Sequence, residues 1–156
     1  MTSEEFGQLA AAIGPLDETI DSVIEVSPTE FSVIFSEAEI EVDLDHDEAG
    51  GKIVASAEIG TPSPERALAI YEFLLTYAAA WRETGGLGVA LTGPGGTLLL
   101  TAIIATAGLD ARPLATIVTN MARRAVILHG IIAAGVAASS PGPVSPSAIP
   151  ESLLRV

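Results

Sequence analysis

The chain has 156 residues, no cysteine, 49% apolar residues and a formal net charge of −13. That length fits one domain plus a tail with a sizeable core, and without cysteine there is no disulfide framework, thiol catalysis or cysteine-rich zinc site. Fifteen of the twenty acids but only one base, Lys52, fall in residues 1–60, a charge that repels phosphate backbones and anionic lipid surfaces, so neither nucleic acid nor membrane is an expected partner.

The N-terminus, Met1-Thr2-Ser3-Glu4-Glu5, lacks the positive charge and apolar run of a signal peptide. Thr2 with Glu5 three residues on predicts a capping box, and Phe6, Leu9, Ala10 and Ile13 recur at helical spacing. Gly14-Pro15 should stop this helix, the glycine taking a left-handed cap. Residues 16–30 settle into neither period. From Phe31 the period becomes two: Phe31, Val33 and Phe35, then Ile40, Val42 and Leu44, then Ile53, Ala55, Ala57 and Ile59. Three half-buried strands with short links predict an antiparallel meander with an acidic face toward water.

Ser63-Pro64-Glu65 predicts a second helix, capped by Ser63 and running to about Glu83. It carries Ile70, Tyr71, Leu74, Ala78 and Trp81 on one side and Phe73, Tyr77 and Ala80 on another, so two sides should be covered. In a chain this small, one cover is the sheet and the other is expected to be a second copy. Val89 to Leu91 and Thr97 to Ala105 predict two more strands, the latter apolar enough for burial on both faces. Asp110 is expected to cap a last helix carrying Leu114, Ile117, Val118, Met121, Ala125, Leu128 and Ile132 on its apolar face. The apolar stretch Ala125–Ala138, interrupted by His129, is shorter than the roughly 20 residues a membrane span needs, so a buried helix is expected. Residues 1–138 are thus read as one domain and 139–156, with four prolines among serines, as a linker-like tail.

Chemistry-bearing constellations are scarce. Counted from Asp43, an acidic run through Glu48 lacks the glycine and glutamate that an EF-hand loop needs at its sixth and twelfth positions, and reads as a solvated turn holding His46. Neither glycine cluster (Gly85-Gly86-Leu87-Gly88; Gly93-Pro94-Gly95-Gly96) precedes a lysine-serine or lysine-threonine pair, so no phosphate cradle is expected. His46 and His129 form no motif with a nucleophile. The expectation is a non-enzymatic protein with no catalytic residue, no metal ligand and no cofactor.

The order helix, three-strand meander, helix, two-strand hairpin, helix resembles the class I type III secretion chaperones of the Tir-chaperone (CesT) type. The resemblance is sharpest from Ala67 to Leu75, through Gly85-Gly86-Leu87-Gly88-Val89-Ala90-Leu91, to Gly95-Gly96-Thr97-Leu98-Leu99-Leu100, with Gly108-Leu109-Asp110 opening the last helix. It implies an α+β fold, α-β-β-β-α-β-β-α, with an antiparallel sheet packed against helices. It also implies a cytoplasmic homodimer that holds an extended N-terminal segment of a secreted effector. On that resemblance Phe6, Leu9, Ile13, Phe31, Val33 and Phe35 are the expected effector contacts, with ordinary core as their other reading. Phe73, Tyr77 and Trp81 are the expected dimer contacts. The alternative function is an accessory or regulatory interaction domain of the same fold, YbjN-like and not tied to secretion.

Overall fold

Thr2 opens α1 (Ser3–Ile13) with the predicted capping box: its hydroxyl accepts from the Glu5 N–H at 3.2 Å, and the Glu5 carboxylate accepts from the Thr2 N–H at 2.7 Å. Gly14 is right-handed helical instead of left-handed, so the chain tightens into a 3-10 turn over Gly14–Leu16 before turning away. The computed structural model describes residues 1–80, 82 and 84–134, with Glu37 by its backbone alone. Trp81 and the predicted tail therefore lie outside the described residues, as does the predicted domain boundary at 138.

After α1 come β1 (Ser22–Ser27), β2 (Glu30–Phe35), β3 (Ile40–Asp47), β4 (Lys52–Gly60), α2 (Ala67–Ala79), β5 (Gly88–Leu91), β6 (Leu98–Ala105) and α3 (Ala111–Ala134). The six strands form one antiparallel sheet in the order β1-β2-β3-β4-β6-β5. The meander and the later hairpin stand as predicted, and β1 is an added strand. It lies in the stretch without a readable period because it is an edge strand, with Ile24, Glu25 and Val26 all exposed. Without a buried face, nothing selects alternation.

Helices cover one face of the sheet. Along β3, Ile40, Val42, Leu44 and His46 are buried and the intervening acids are not. Ile53, Ala55, Ala57 and Ile59 continue this inner face on β4, as do Leu98, Leu100, Ala102 and Ile104 on β6. Phe6 of α1 sits edge-on to Phe31, ring centres 5.2 Å apart, and stacks on His46 at 4.9 Å. His46 is thus a buried strand residue, not part of a solvated turn: the strand runs three residues past Leu44, and position 46 falls on the inner face. Only after Asp47, whose carboxylate accepts from the Gly50 N–H at 2.8 Å, does the chain turn.

Helix α3 packs Leu114, Val118, Met121, Ala125 and Leu128 against the inner face. Its 24 residues are long and apolar enough to cross a membrane by length and composition; here one side of the helix lies in the core. Helix α2 begins three residues later than its proline suggests. Ser63 accepts from the Arg66 N–H through its backbone carbonyl, forming a turn, and the first helical residue is Ala67.

Candidate functional site

Helix α2 supplies the first candidate surface. Ile70, Leu74 and Tyr77 point inward and are buried, while Leu68 and Leu75, seven residues apart and so on one face, are 72% and 71% exposed. Between this helix and the edge strand β5 runs a groove of about 320 Å³, lined by Tyr71, Leu74, Leu75 and Ala78 on one side and Val89, Leu91 and Leu98 on the other. Among the described residues no charged side chain lines it. Two exposed leucines beside a groove of this composition form an apolar surface that water solvates poorly.

The second surface lies at the opposite edge. On β1, Ile24 is 50% and Val26 is 59% exposed, and the free side of the strand has no hydrogen-bonded neighbour in the sheet. Leu16, in the turn leading to it, is exposed as well. An unpaired strand edge with apolar side chains is a template for another extended segment.

The residues that the sequence singled out divide sharply. Phe6, Ile13, Phe31, Val33 and Phe35 are buried in the core, and Leu9 is half-buried against it. The structure brings them together between α1 and β2, with Phe35 also lining an open pocket beside Ala38, Ala122 and Val126. Tyr77 is also fully buried. Burial pushes its phenol up, partly offset by the Arg124 guanidinium, and its hydroxyl has no hydrogen-bond partner among the described residues. Phe73 is half-buried against the core, and Trp81 lies outside the described residues. Leu68, Leu75, Ile24 and Val26 were the residues sequence reasoning missed. In α2 the signal was present, because apolar residues occupy more of the helix than one face can bury. In β1 no such signal existed.

The turn before β1 is tied to α3 by Asp17. Its carboxylate accepts from the Thr19 hydroxyl at 2.6 Å, the Thr19 N–H at 2.9 Å and the Thr119 hydroxyl at 2.8 Å. These bonds, the Thr19 hydroxyl first, hold the carboxyl below the usual aspartate range. A depressed native value stabilises the fold above the ordinary aspartate pKa, and the contribution disappears as pH falls through the native value. Thr119→Val should therefore cost about 1 kcal/mol at neutral pH. The difference should shrink when chemical denaturation is repeated near pH 2, below the usual carboxylate range. A difference that persists undiminished there would assign the effect to packing of Thr119.

No constellation for bond-making chemistry joins these surfaces. Among the described residues no three His, Asp or Glu side chains converge as metal ligands. Gly85 and Gly86 have positive φ in the turn between α2 and β5, and Gly95 has it in the β5–β6 hairpin, so these glycines serve tight turns.

A helix-covered antiparallel sheet with apolar surface left at both edges is the geometry to compare with known proteins. The family model of the Tir chaperone protein (CesT) family matches residues 39–129. The chain belongs to the CesT family. No curated protein matches it. Among solved structures, the ExsC–ExsE complex contains a chain similar to this CesT-family protein with a TM-score of 0.65 at 16% identity, covering 83% of this chain and 95% of that one. The HopA1–SchA chaperone–effector complex gives a TM-score of 0.65 at 13% identity, covering 82% and 95%. At such identities these likenesses speak for the fold: an α+β protein with a six-stranded antiparallel sheet.

Proposed function

We propose that this CesT-family protein is a cytoplasmic type III secretion chaperone that acts as a homodimer and holds an N-terminal segment of an effector in extended, secretion-competent form. The observation that carries this reading is the placement of unsatisfied apolar surface at the two edges of one sheet in a member of this family. The groove between α2 and β5 suits a second copy, because it is uncharged in a strongly acidic protein and two acidic bodies can approach only where charge is absent. Leu68, Leu75 and Leu91 would be buried there; Tyr77 supports the interface from the core side, and Phe73, packed against the core, lies on the other side of α2 from the groove. Edge β1 suits the cargo. A non-folded segment adds a strand beside Ser22–Ser27 and lays apolar side chains on Leu16, Ile24 and Val26, while Phe6, Leu9, Ile13, Phe31, Val33 and Phe35 keep the floor rigid. Holding of this kind uses main-chain hydrogen bonds and apolar burial, and it needs neither nucleotide nor catalysis.

The test is capture by tagged protein from the source cells, followed by limited proteolysis. The expected result is a larger secreted protein of which an N-terminal segment alone is protected. Ile24→Asp combined with Val26→Asp should weaken capture by roughly tenfold or more while leaving the oligomeric mass unchanged, since it sets two unpaired carboxylates against the cargo strand. Protection of a folded cytoplasmic protein far from its N-terminus would overturn the cargo assignment.

A further inference from the structure

The sequence of β6 is apolar on both sides, and the fold covers only one of them. Ile103 points away from the helices and is 72% exposed; Val54, its partner across the ladder on β4, is half-buried. No helix among the described residues covers this outer face. Following the register outward from Ile103, the row reads Val54, then Asp45 on β3, then Glu30 on β2. In the next rows Asp43 lies opposite Ser32, and Glu41 opposite Ile34. The outer face therefore has two halves: apolar at Ile103 and Val54, with Lys52 and Glu58 at the two ends of the same face of β4, and anionic over β2 and β3.

Among the described residues the anionic half has one base beside it, at its turn end. Lys52, the one base in residues 1–60, pairs with Asp47 at 3.4 Å at the turn end of the sheet, and the described arginines lie on or beside the helices. The carboxyl of Asp43 is pushed up, first by partial burial and then by the neighbouring carboxylates of Glu41, Asp45 and Glu30; the Ser32 hydroxyl opposes this. Like charges on adjacent strands repel, and a cationic group placed over them relieves that repulsion. A second copy is disfavoured as occupant, because it would bring another body of charge −13 against this half.

We propose that this outer sheet face docks a short segment of another protein that is basic at one end and apolar at the other. Two or more Lys or Arg side chains lie over Glu30, Asp43 and Asp45, and the apolar end lies over Val54 and Ile103. From β2 to β6 is three strand spacings, about 14 Å, so the segment needs only about five extended residues between its two ends. The face is distinct from the α2–β5 groove, and the proposal does not depend on what binds at edge β1.

The test uses the full chain and a labelled eight-residue probe peptide, two lysines followed by a run of leucine and valine, read by fluorescence anisotropy. A control peptide carries two glutamates in place of the lysines. The lysine probe should bind at low salt and weaken about tenfold or more when ionic strength rises to a few tenths molar, where the screening length falls to several ångströms. Asp43→Lys with Asp45→Lys should weaken it at least about tenfold, and Ile103→Asp severalfold, with light-scattering mass unchanged. Should the double variant fold poorly, Asp45→Asn and Ile103→Ser test the same order of effects. Absent binding, equal binding of both peptides, or insensitivity to these substitutions overturns the proposal. A change of mass on Ile103→Asp also overturns it, by making a second copy the occupant.

Discussion

Leu75→Asp should give a folded monomer at concentrations where, on the proposed function, the unaltered protein forms a dimer. Leu75 is 71% exposed in the protomer, so the substitution removes no core contact, and protomer stability should stay within about 0.5 kcal/mol. In a two-fold dimer closed over the α2–β5 groove, the same substitution buries a carboxylate from each copy without a partner. That costs about 3–5 kcal/mol, or roughly 150- to 4,000-fold in the dimer dissociation constant. Sedimentation or light scattering over a concentration series reads this directly. An unchanged mass would remove the groove from the interface. Tyr77→Asp cannot serve the same purpose: Tyr77 is fully buried between α2 and the core, and a charge there would unfold the protomer before it reported on association.

The largest effect on stability is expected at Phe6. Its ring is completely buried, edge-on to Phe31 and stacked on His46, and it joins α1 to the inner face of the sheet. Phe6→Ala removes that burial and leaves a cavity, a loss of about 3–5 kcal/mol. The aromatic contacts account for about 0.5–1.5 kcal/mol of such a loss. The expected result is a large fall in denaturant midpoint, accompanied by faster hydrogen exchange over Ser3–Ile13. Phe6→Leu, which keeps most of the volume, should recover most of the difference. If Phe6→Ala left stability within about 0.5 kcal/mol but abolished cargo binding, Phe6 would be a contact residue that opens to the surface, contrary to its place in the core.

Why the residues expected from the resemblance to touch an effector lie in or against the core of the protomer follows from what an apolar residue records. Phe31, Val33 and Phe35 announce a face that must be buried, and their spacing announces a strand. Neither says whether the cover is another part of the chain or a partner. Here α1 supplies the cover, through Phe6 over Phe31 and His46. In α2 the excess of apolar residues beyond one face was readable, and the structure resolves which are left over: Ile70, Leu74 and Tyr77 go inward, Leu68 and Leu75 outward. In β6 a similar excess left Ile103 exposed, because among the described residues no helix reaches the outer face.

Local signals were sufficient wherever short-range chemistry decides the conformation. Thr2 and Glu5 determined where α1 begins, the period of two from Phe31 to Ile59 determined the meander, and the cluster around Gly95 determined the last hairpin. Tertiary structure alone decided that Ser22–Ser27 is a strand, since its partner β2 supplies the hydrogen bonds that its own exposed side chains do not predict. It alone placed His46 beneath Phe6, and set acids from β2 and β3 side by side on a face whose one described base, Lys52, is paired with Asp47 at its turn end. Sequence spacing encodes faces. Which faces meet, and which are left for another molecule, depends on how many layers the chain has to cover them, and the described residues form one sheet with helices on one of its two sides.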